Sequence, residues 1–398
     1  MSDVLCLPQG SQDQSVPAAA AERKAPAPAS GSRLNRRQVL QSVAALGAAA
    51  AVGGMAASPR PAEAAGLRSV ATWERMFQGI WARDHAEYAP KSVSTNSQSF
   101  YNLAYSVDAN AAMFQATGKT MYLDRALLYI ENTIRSARVS RSFSSSRFKD
   151  GFYGWLSGGQ EVVLYEIYLW RYVTRILRLM RANGGVYGNA SYRARFQRIL
   201  AFTETNIFDK WYARGPNWYI YREVTHITAH FGYIALNLSR LTGDSGRRSR
   251  CLAVFNNINR NLPNRPGRSL RNQLINHPTV NGGVFFDDNW GVFSRPGSDT
   301  AHANGVVSFI VESQELGAEW TRTDCNRLVA TLNGAILKGG STTATYLDGS
   351  GSGGWINDGF VKLGRFSAAL QQRLESYQRA QTCQLWGNCA LNARLLGA

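Results

Sequence analysis

Histidine and cysteine are scarce in this chain of 398 residues, which contains five of each. No Cys-x2-Cys pair and no neighbouring set of cysteine and histidine ligands occurs, which argues against a structural zinc site. The glycine-rich stretch 350–354 lacks the lysine of a phosphate-binding loop, and no dinucleotide fingerprint follows a predicted strand. These absences argue against nucleotide-dependent enzymes, and we predict that the protein uses no cofactor.

Acidic residues are also few. The chain has 27 Asp and Glu against 44 Lys and Arg, which gives a formal net charge of +17. In an exported protein this charge favours an anionic glycan over a nucleic acid, and the planar guanidinium of arginine suits carboxylate recognition. We therefore predict an acidic polysaccharide as the partner, no nucleic acid, and a monomer by default.

The N-terminal segment 1–64 has the layout of a twin-arginine export signal. Arg36 and Arg37 precede a mildly apolar Ala/Gly-rich run, and Ala62–Ala64 offers a small-x-small cleavage site. The run is weakly apolar and ends near Pro59, which argues against a membrane helix. We predict a periplasmic or secreted protein with no stable membrane insertion. Residues 65–398 would form one catalytic domain with a C-terminal tail at 378–398.

Four cysteines remain after such a cleavage, and export would permit disulfides. Cys383 and Cys389 enclose five residues and are predicted to form a local bridge in the tail. Cys251 with Cys325 would join two predicted outer helices. The sequence alone does not determine the connectivity.

The mature chain is helical nearly throughout. Apolar residues recur at helical spacing, and glycines at 118, 243 and 317 follow predicted helices, where a left-handed residue often ends a helix. The repeating unit is an antiparallel helix pair, which favours an all-α, (α/α) toroid over an open superhelix. A short strand is predicted near 283–286. The predicted helices are 69–87, 97–116, 120–137, 159–183, 190–206, 222–241, 246–260, 300–317, 322–338 and 355–377.

Within each pair, the first helix carries more small and polar residues and is predicted to line the inner ring. Long linkers at 138–158, 207–221, 261–299 and 339–354 would then gather over the N-terminal ends of the inner helices. These linkers are rich in aromatic residues, including Trp155 and Trp290, which could stack on sugar rings or simply plug the ring. A substrate cleft is therefore expected at this end.

Two inner helices begin with titratable groups. On a helix, Glu223, His226 and His230 would share one face, and Asp299 would cap the helix that carries His302. Such groups are costly in a core and useful in a cleft. The alternatives are buried, hydrogen-bonded histidines without a function, or a divalent metal site at Glu223, His226 and His230.

The same residue types can perform β-elimination on a uronic-acid glycan. This reaction needs groups that neutralise the carboxylate, a base for the C5 proton and an acid for the leaving oxygen. We predict catalysis by Tyr221, His230 and His302, with Glu223 orienting a histidine. The predicted substrate-binding residues are Gln160, Tyr219, His226, Asn289, Arg295, Asn304, Trp155 and Trp290.

The helix pairs, the Glu-x6-His spacing of Glu223 and His230, and the Asp-x2-His-x-Asn start at Asp299 resemble the (α/α)-toroid polysaccharide lyases, such as alginate and glucuronan lyases. The resemblance spans roughly 95–377. It implies an exported lyase that cleaves acidic glycans with a catalytic tyrosine, in which His230 matches the inner-helix histidine and Glu223 its acidic neighbour. No tyrosine lies between 233 and 346, where some of these lyases place it, so Tyr221, Tyr219 or His302 would take its role.

Two other classes of function remain open. A glycoside hydrolase on the same scaffold could use the paired carboxylates Asp287 and Asp288, with Glu223, Asp108 or Asp358 as a more distant partner. A non-catalytic glycan-binding envelope protein is the alternative outside the enzymes.

Overall fold

The computed structural model describes residues 66–339, 341–377 and 381–398, and these are largely helical. A 3₁₀ helix at Phe360–Phe366 and several one-turn segments connect the longer elements. The longer helices are α1 Val70–Ser92, α2 Gln98–Thr117, α3 Thr120–Ser136, α4 Val163–Ala182, α5 Ala190–Thr203, α6 Thr225–Leu241, α7 Ser245–Arg260, α8 Thr300–Glu315, α9 Arg322–Thr331, α10 Ala368–Glu375 and α11 Cys383–Leu396.

The strands are short and form antiparallel hairpins within the long linkers. β1 Arg138–Val139 pairs with β2 Tyr153–Gly154 before α4, and β3 Ile275–Asn276 pairs with β4 Val284–Phe285 before α8. β5 Leu337–Gly339 pairs with β6 Thr342–Thr343 before the 3₁₀ helix, with an irregular register. β4 confirms the strand predicted near 283–286.

Six elements form a closed inner ring in the order α2, α4, α6, α8, the 3₁₀ helix and α11, and α11 packs back against α2. Polar contacts join successive members. Asn237 on α6 donates to Glu312 on α8 at 3.1 Å, and Asn304 on α8 accepts from the backbone N–H of Phe360 at 2.9 Å. Asn388 on α11 closes the ring by donating to Asp108 on α2 at 3.0 Å.

The outer ring is formed by α1, α3, α5, α7, α9 and α10, each packed on inner-ring elements. Among the described residues, the first helix, α1, belongs to the outer ring and the last, α11, to the inner ring, and the two pack against each other. The predicted all-α toroid is confirmed. The inner helices are also the more completely buried ones, as the small residues of α2 and α6 predict.

Several predicted boundaries need correction. α6 begins at Thr225, so Glu223 lies before the helix rather than on its face. The predicted helix 355–377 is irregular up to Phe360 and then divides into the 3₁₀ helix and α10. The predicted C-terminal tail contains α11, an inner-ring helix. Gly118 and Gly317 adopt the left-handed conformation, with φ of 72° and 59°, whereas Gly243 is not among the glycines with positive φ.

The four described cysteines are buried free thiols. Cys383 and Cys389 lie six positions apart on the single helix α11, where their side chains point in different directions. The predicted bridge between them is therefore wrong, and Cys251 and Cys325 are likewise unbridged. Burial raises the pKa of the Cys325 thiol to about 12.

The predicted export signal, 1–64, lies outside the described residues. Within the described part of the chain, no helix combines the length and the apolar character needed to cross a bilayer.

The interior of the ring holds buried charges. Lys362 of the 3₁₀ helix donates to Asp108 of α2 at 2.7 Å, and Arg171 of α4 donates to Asp358 at 2.5 Å. Burial alone would raise the pKa of Asp358, but the charges of Arg171 and Lys362 outweigh it and hold the pKa low. Tyr172 also donates to Asp358. These contacts connect α2, α4 and the 3₁₀ helix through paired groups, as buried ions require.

Asp84 on α1 lies against the start of α11 and gives a stability prediction. Burial raises its pKa from 3.8 to about 6, with a smaller contribution from Glu87. The folded protein therefore holds this proton more tightly than the unfolded chain does. The associated stability is present at low pH and is lost as pH rises through about 6. We expect Asp84→Asn to raise the free energy of unfolding at pH 8 by about 2 kcal/mol.

Urea denaturation of both proteins at pH 4 and pH 8 measures this effect. The difference should shrink toward pH 4, where the wild-type carboxyl is largely protonated. Asp124→Asn is the matched control, because the Asp124 side chain is 48% exposed and its ion pair with Arg195 should contribute little. An Asp84→Asn variant that is less stable at pH 8 contradicts the prediction.

Candidate active site

The starts of α6 and α8 bring two histidines together at one end of the inner ring, which we call the mouth. The imidazoles of His226 and His302 stack with ring centroids 4.3 Å apart and planes 21° apart. His226 is buried, and the His302 side chain is 34% exposed. Residues 76 positions apart in sequence therefore meet where solvent has access to the ring.

Asp288, from the linker before α8, joins these two histidines. Its side chain lies 3.1 Å from Nδ1 of His226 and 3.3 Å from Nδ1 of His302. Thr225 holds the segment in place, since its backbone N–H donates to the Asp288 carbonyl at 2.7 Å and its hydroxyl donates to the carboxylate at 3.2 Å. Burial opposes ionisation, but the two histidines lower the pKa of Asp288.

Asp299 performs two tasks at the start of α8. It caps the helix by accepting from the backbone N–H of His302 at 3.0 Å, as predicted, and its second oxygen lies 2.5 Å from Nδ1 of His302. Burial alone would lower the pKa of His302, but Asp299 and Asp288 outweigh it and raise the pKa. Burial would raise the pKa of Asp299, and His302 instead holds it low.

His230 lies one turn below His226, with ring centroids 6.1 Å apart. It is 1% exposed, and neither ring nitrogen has a hydrogen-bond partner among the described residues. Burial lowers its pKa well below the usual value, and the charge of Arg171 adds to this effect. His230 is therefore a neutral imidazole beneath the mouth. The alternative of a hydrogen-bonded core histidine does not describe it.

Aromatic side chains from three inner-ring segments form a wall beside the histidines. Tyr101 of α2 stacks on Tyr168 of α4 with centroids 3.9 Å apart, and Tyr168 meets His230 edge-on at 5.0 Å. The ring centroids of Tyr105 and Trp355 lie 5.8 Å apart, and Trp355 precedes the 3₁₀ helix. We call Tyr101, Tyr105, Tyr168 and Trp355 the aromatic wall. Burial raises the pKa of Tyr101 to about 12, so its hydroxyl stays protonated at neutral pH.

Three residues that were predicted to act in catalysis or to bind the substrate contact other parts of the protein and not the two histidines. They are Tyr221, Tyr219 and Glu223. The Tyr221 hydroxyl accepts from Asn257 on the outer helix α7 at 3.0 Å, and the side chain is buried. Tyr219 accepts from Arg147 at 2.6 Å. The Glu223 side chain is 67% exposed and pairs with neighbouring Arg222, so Asp288, and not Glu223, is the carboxylate beside His226.

The predicted polar substrate ligands are engaged in local contacts. Exposed Gln160 donates to the Ser145 carbonyl at 2.7 Å, and exposed Arg295 donates to Asp348 at 2.9 Å. Asn289 donates to Asp287 at 3.2 Å. Of these residues, Asn289 adjoins the mouth, because it directly follows Asp288.

Asn304, Trp155 and Trp290 have identifiable structural contacts. Asn304 is fully buried and donates to the Trp355 carbonyl at 2.7 Å, which ties α8 to the segment that carries the wall. Trp155 is 1% exposed, packs on Trp170, and donates to the Thr133 carbonyl on the outer helix α3 at 3.2 Å, so it lies in the core between the two rings. Trp290 donates to the Arg222 carbonyl at 2.8 Å and fixes one linker against another.

The sequence prediction missed the tyrosines of the wall. Tyr101 with Tyr105, and Tyr168 with Tyr172, are i,i+4 pairs on predicted inner helices, and this spacing was the signal available. Asp288 was considered as one of a pair with Asp287. Its true neighbours are Asp299 and the two histidines.

No family model matches the sequence, and no curated protein matches it. The structure is similar to a solved α-1,6-mannanase, GH76A of Salegentibacter sp. HEL1_6, which was studied as an inactive variant in complex with α-1,6-mannotetrose. The TM-score is 0.44 with 12% sequence identity, covering 81% of this chain and 99% of the mannanase chain. A similarity this low assigns no substrate to this protein.

The predicted polysaccharide-lyase family and β-elimination activity are nevertheless wrong. The mannanase to which the structure is similar is a glycoside hydrolase and not a lyase. The predicted alginate, glucuronan and uronate substrates therefore lose their support. The positions of Tyr221, Tyr219 and Arg295 agree with this correction, because each is engaged with a neighbour rather than gathered around the histidines.

Gly305 on α8 tests the packing beneath the mouth. A Cβ added there would lie 2.6 Å from Cε1 of His230 and 3.4 Å from Cβ of His226. We expect Gly305→Ala to push α6 and α8 apart and to lower the free energy of unfolding by about 1–3 kcal/mol. Gly79→Ala on α1 is the control, since an added Cβ there meets nothing within 4 Å. Equal stability of the two variants would contradict the described packing.

Proposed function

We propose that the protein is a glycoside hydrolase that cleaves a polysaccharide at the mouth of the ring. The observation that carries the proposal is the contact of two carboxylates, Asp288 and Asp299, with the single nitrogen Nδ1 of His302, at 3.3 and 2.5 Å. Glycosidic bond hydrolysis requires a proton donor for the leaving oxygen and a carboxylate that acts on water or on the sugar. His302 as a proton donor and Asp288 as a carboxylate are therefore close enough together to act on the same glycosidic bond.

The contacts suggest a division of roles. Asp299 and His302 form a close donor unit at the start of α8, and His302 is the more accessible of the two histidines. Asp288 is fixed by Thr225 and His226 on its other side and is the candidate nucleophile or base. Both carboxylates touch one nitrogen, so their oxygens are close together. This spacing supports direct attack on the sugar more than an intervening water.

The aromatic wall supports a sugar as the substrate. Tyr101 and Trp355 are partly exposed, and the wall adjoins His230 and the start of α8. Aromatic faces pack against the apolar faces of sugar rings, while their polar edges bind hydroxyl groups. A hydrolase without such a surface would need other groups to orient a carbohydrate chain.

The site of action and the charge of the glycan extend the proposal. The twin-arginine pattern at Arg36 and Arg37 favours a periplasmic or secreted hydrolase, which meets polysaccharides outside the cytoplasm. The net charge of +17 favours an anionic glycan over a neutral one, and we take the enzyme to act as a monomer.

Substitution of the two carboxylates tests the chemistry. Asp288→Asn and Asp299→Asn should each lower the release of reducing ends from a cleavable polysaccharide by about 100-fold or more, because the first removes the candidate nucleophile or base and the second removes the carboxylate that holds the proton on His302. The wild type should release reducing ends without the absorbance near 235 nm that an unsaturated uronate produces. A polysaccharide panel with a reducing-sugar assay measures both quantities.

Asp124→Asn is the matched control and should keep wild-type activity, because Asp124 lies on the outer helix α3. Circular dichroism should show that all three variants are folded. Full activity in either site variant would refute the proposed roles. Glycan binding without any reducing ends would instead support a non-catalytic module.

The anionic-substrate proposal has a separate test. If basic side chains attract the glycan, raising ionic strength from 0.05 to 0.5 M should raise KM by about 3-fold or more while kcat changes little, because salt screens exposed charges. Initial-rate kinetics at several salt concentrations measure this. A KM that does not depend on salt would indicate a neutral glycan.

A further inference from the structure

We propose that His226, Asp288 and His302 form a binding site for one divalent transition-metal ion, with Zn²⁺ as the best-suited probe. One ligand atom from each residue lies within 4.8 Å of the other two. This set differs from the set considered from sequence, since neither Glu223 nor His230 belongs to it. The proposal concerns a cation in the same place as the proposed hydrolase groups, but metal binding itself does not rest on hydrolysis.

The distances suit a small cation. Nδ1 of His226 and Nδ1 of His302 lie 3.1 and 3.3 Å from the carboxylate oxygens of Asp288. Zinc bonds of about 2.1 Å at tetrahedral angles place neighbouring ligand atoms roughly 3.4 Å apart. Each histidine nitrogen therefore already lies near the required distance from one oxygen of Asp288, Oδ1 for His226 and Oδ2 for His302, and the three ligand atoms lie within 4.8 Å of one another.

The surroundings supply further support. Asp299 reaches Nδ1 of His302 at 2.5 Å and offers a second carboxylate beside the three ligands. Thr225 orients Asp288 through its hydroxyl, as outer contacts commonly orient metal-binding carboxylates. A third imidazole, His230, lies one turn from His226. It is 1% exposed, and neither of its ring nitrogens is engaged in a hydrogen bond among the described residues.

The donor set also limits the kind of metal. Two imidazole nitrogens and one carboxylate favour zinc and its transition-metal neighbours over calcium or magnesium, which prefer oxygen ligands. The His302 side chain is 34% exposed, so a cation can enter from the mouth. A cation held by Asp288 and His302 would occupy groups that the proposed hydrolysis uses, so we expect it to slow cleavage.

The test uses full-length protein stripped with EDTA, loaded with excess Zn²⁺ and passed through a desalting column. Elemental analysis should find about one Zn²⁺ per chain in the wild type, and less than about one tenth of this in Asp288→Asn and His302→Gln. His85→Gln is the control and should retain the metal, because His85 contacts Tyr129 between α1 and α3. Circular dichroism checks that each variant is folded.

Cobalt distinguishes this site from the buried thiols. Co²⁺-loaded wild type should show visible absorption without thiolate charge-transfer bands in the near ultraviolet. Thiolate bands, or no retained metal in folded wild type, would overturn the proposal. Retention of Zn²⁺ by both site variants would do the same.

Activity separates this inference from the proposed function. Zinc uptake without cleavage of any glycan would leave the metal site standing and remove the hydrolase. Cleavage without zinc uptake would remove the metal site alone. If EDTA abolished cleavage and Zn²⁺ restored it, the expected slowing by metal would be wrong, although the site would stand.

Discussion

The charges buried inside the ring are the constraint on which the rest of the structure depends. An annulus of helices encloses side chains that have little access to water, so every charge there needs a partner. The Asp108 carboxylate accepts hydrogen bonds from Lys362 of the 3₁₀ helix and from Asn388 and Gln384 of α11. These contacts hold the last inner-ring helix, α11, against the first, α2. The ring is thereby closed by polar pairing as well as by apolar packing.

The position of the site follows from this closure. With the inner helices held side by side, the starts of α6 and α8 are neighbours, and the long linkers that precede them lie at the same end. Thr225 and Asp299 then act at these starts, one by fixing Asp288 and the other by capping α8 and contacting His302. The mouth can therefore hold ionisable groups close together without burying them completely.

Helical periodicity was sufficient to predict the toroid, because the apolar spacing and the short turns recur along the chain. It also predicted a cleft at the end of the ring where two inner helices begin with titratable groups, Glu223, His226 and His230 on one and Asp299 and His302 on the other. It failed for Glu223, because Val224, which has extended backbone, separates Glu223 from the start of α6. It could not assign Asp288 as the partner of both histidines, since that depends on how a long linker folds back onto Thr225. The family prediction failed for a related reason. The spacing of the motifs showed that suitable residue types were present, but it did not show what they contact. The contacts of Tyr221 with Asn257 and of Arg295 with Asp348 depend on tertiary packing.

Cleavage in water enriched in heavy oxygen tests the central claim most directly. Hydrolysis at the mouth places one oxygen atom from water at each new reducing end, so mass spectrometry of the products should show a single heavy-oxygen label per cleavage. Products without this label, or with the mass of an unsaturated sugar, would contradict the account. In that case the carboxylates and histidines at the mouth would perform some other chemistry.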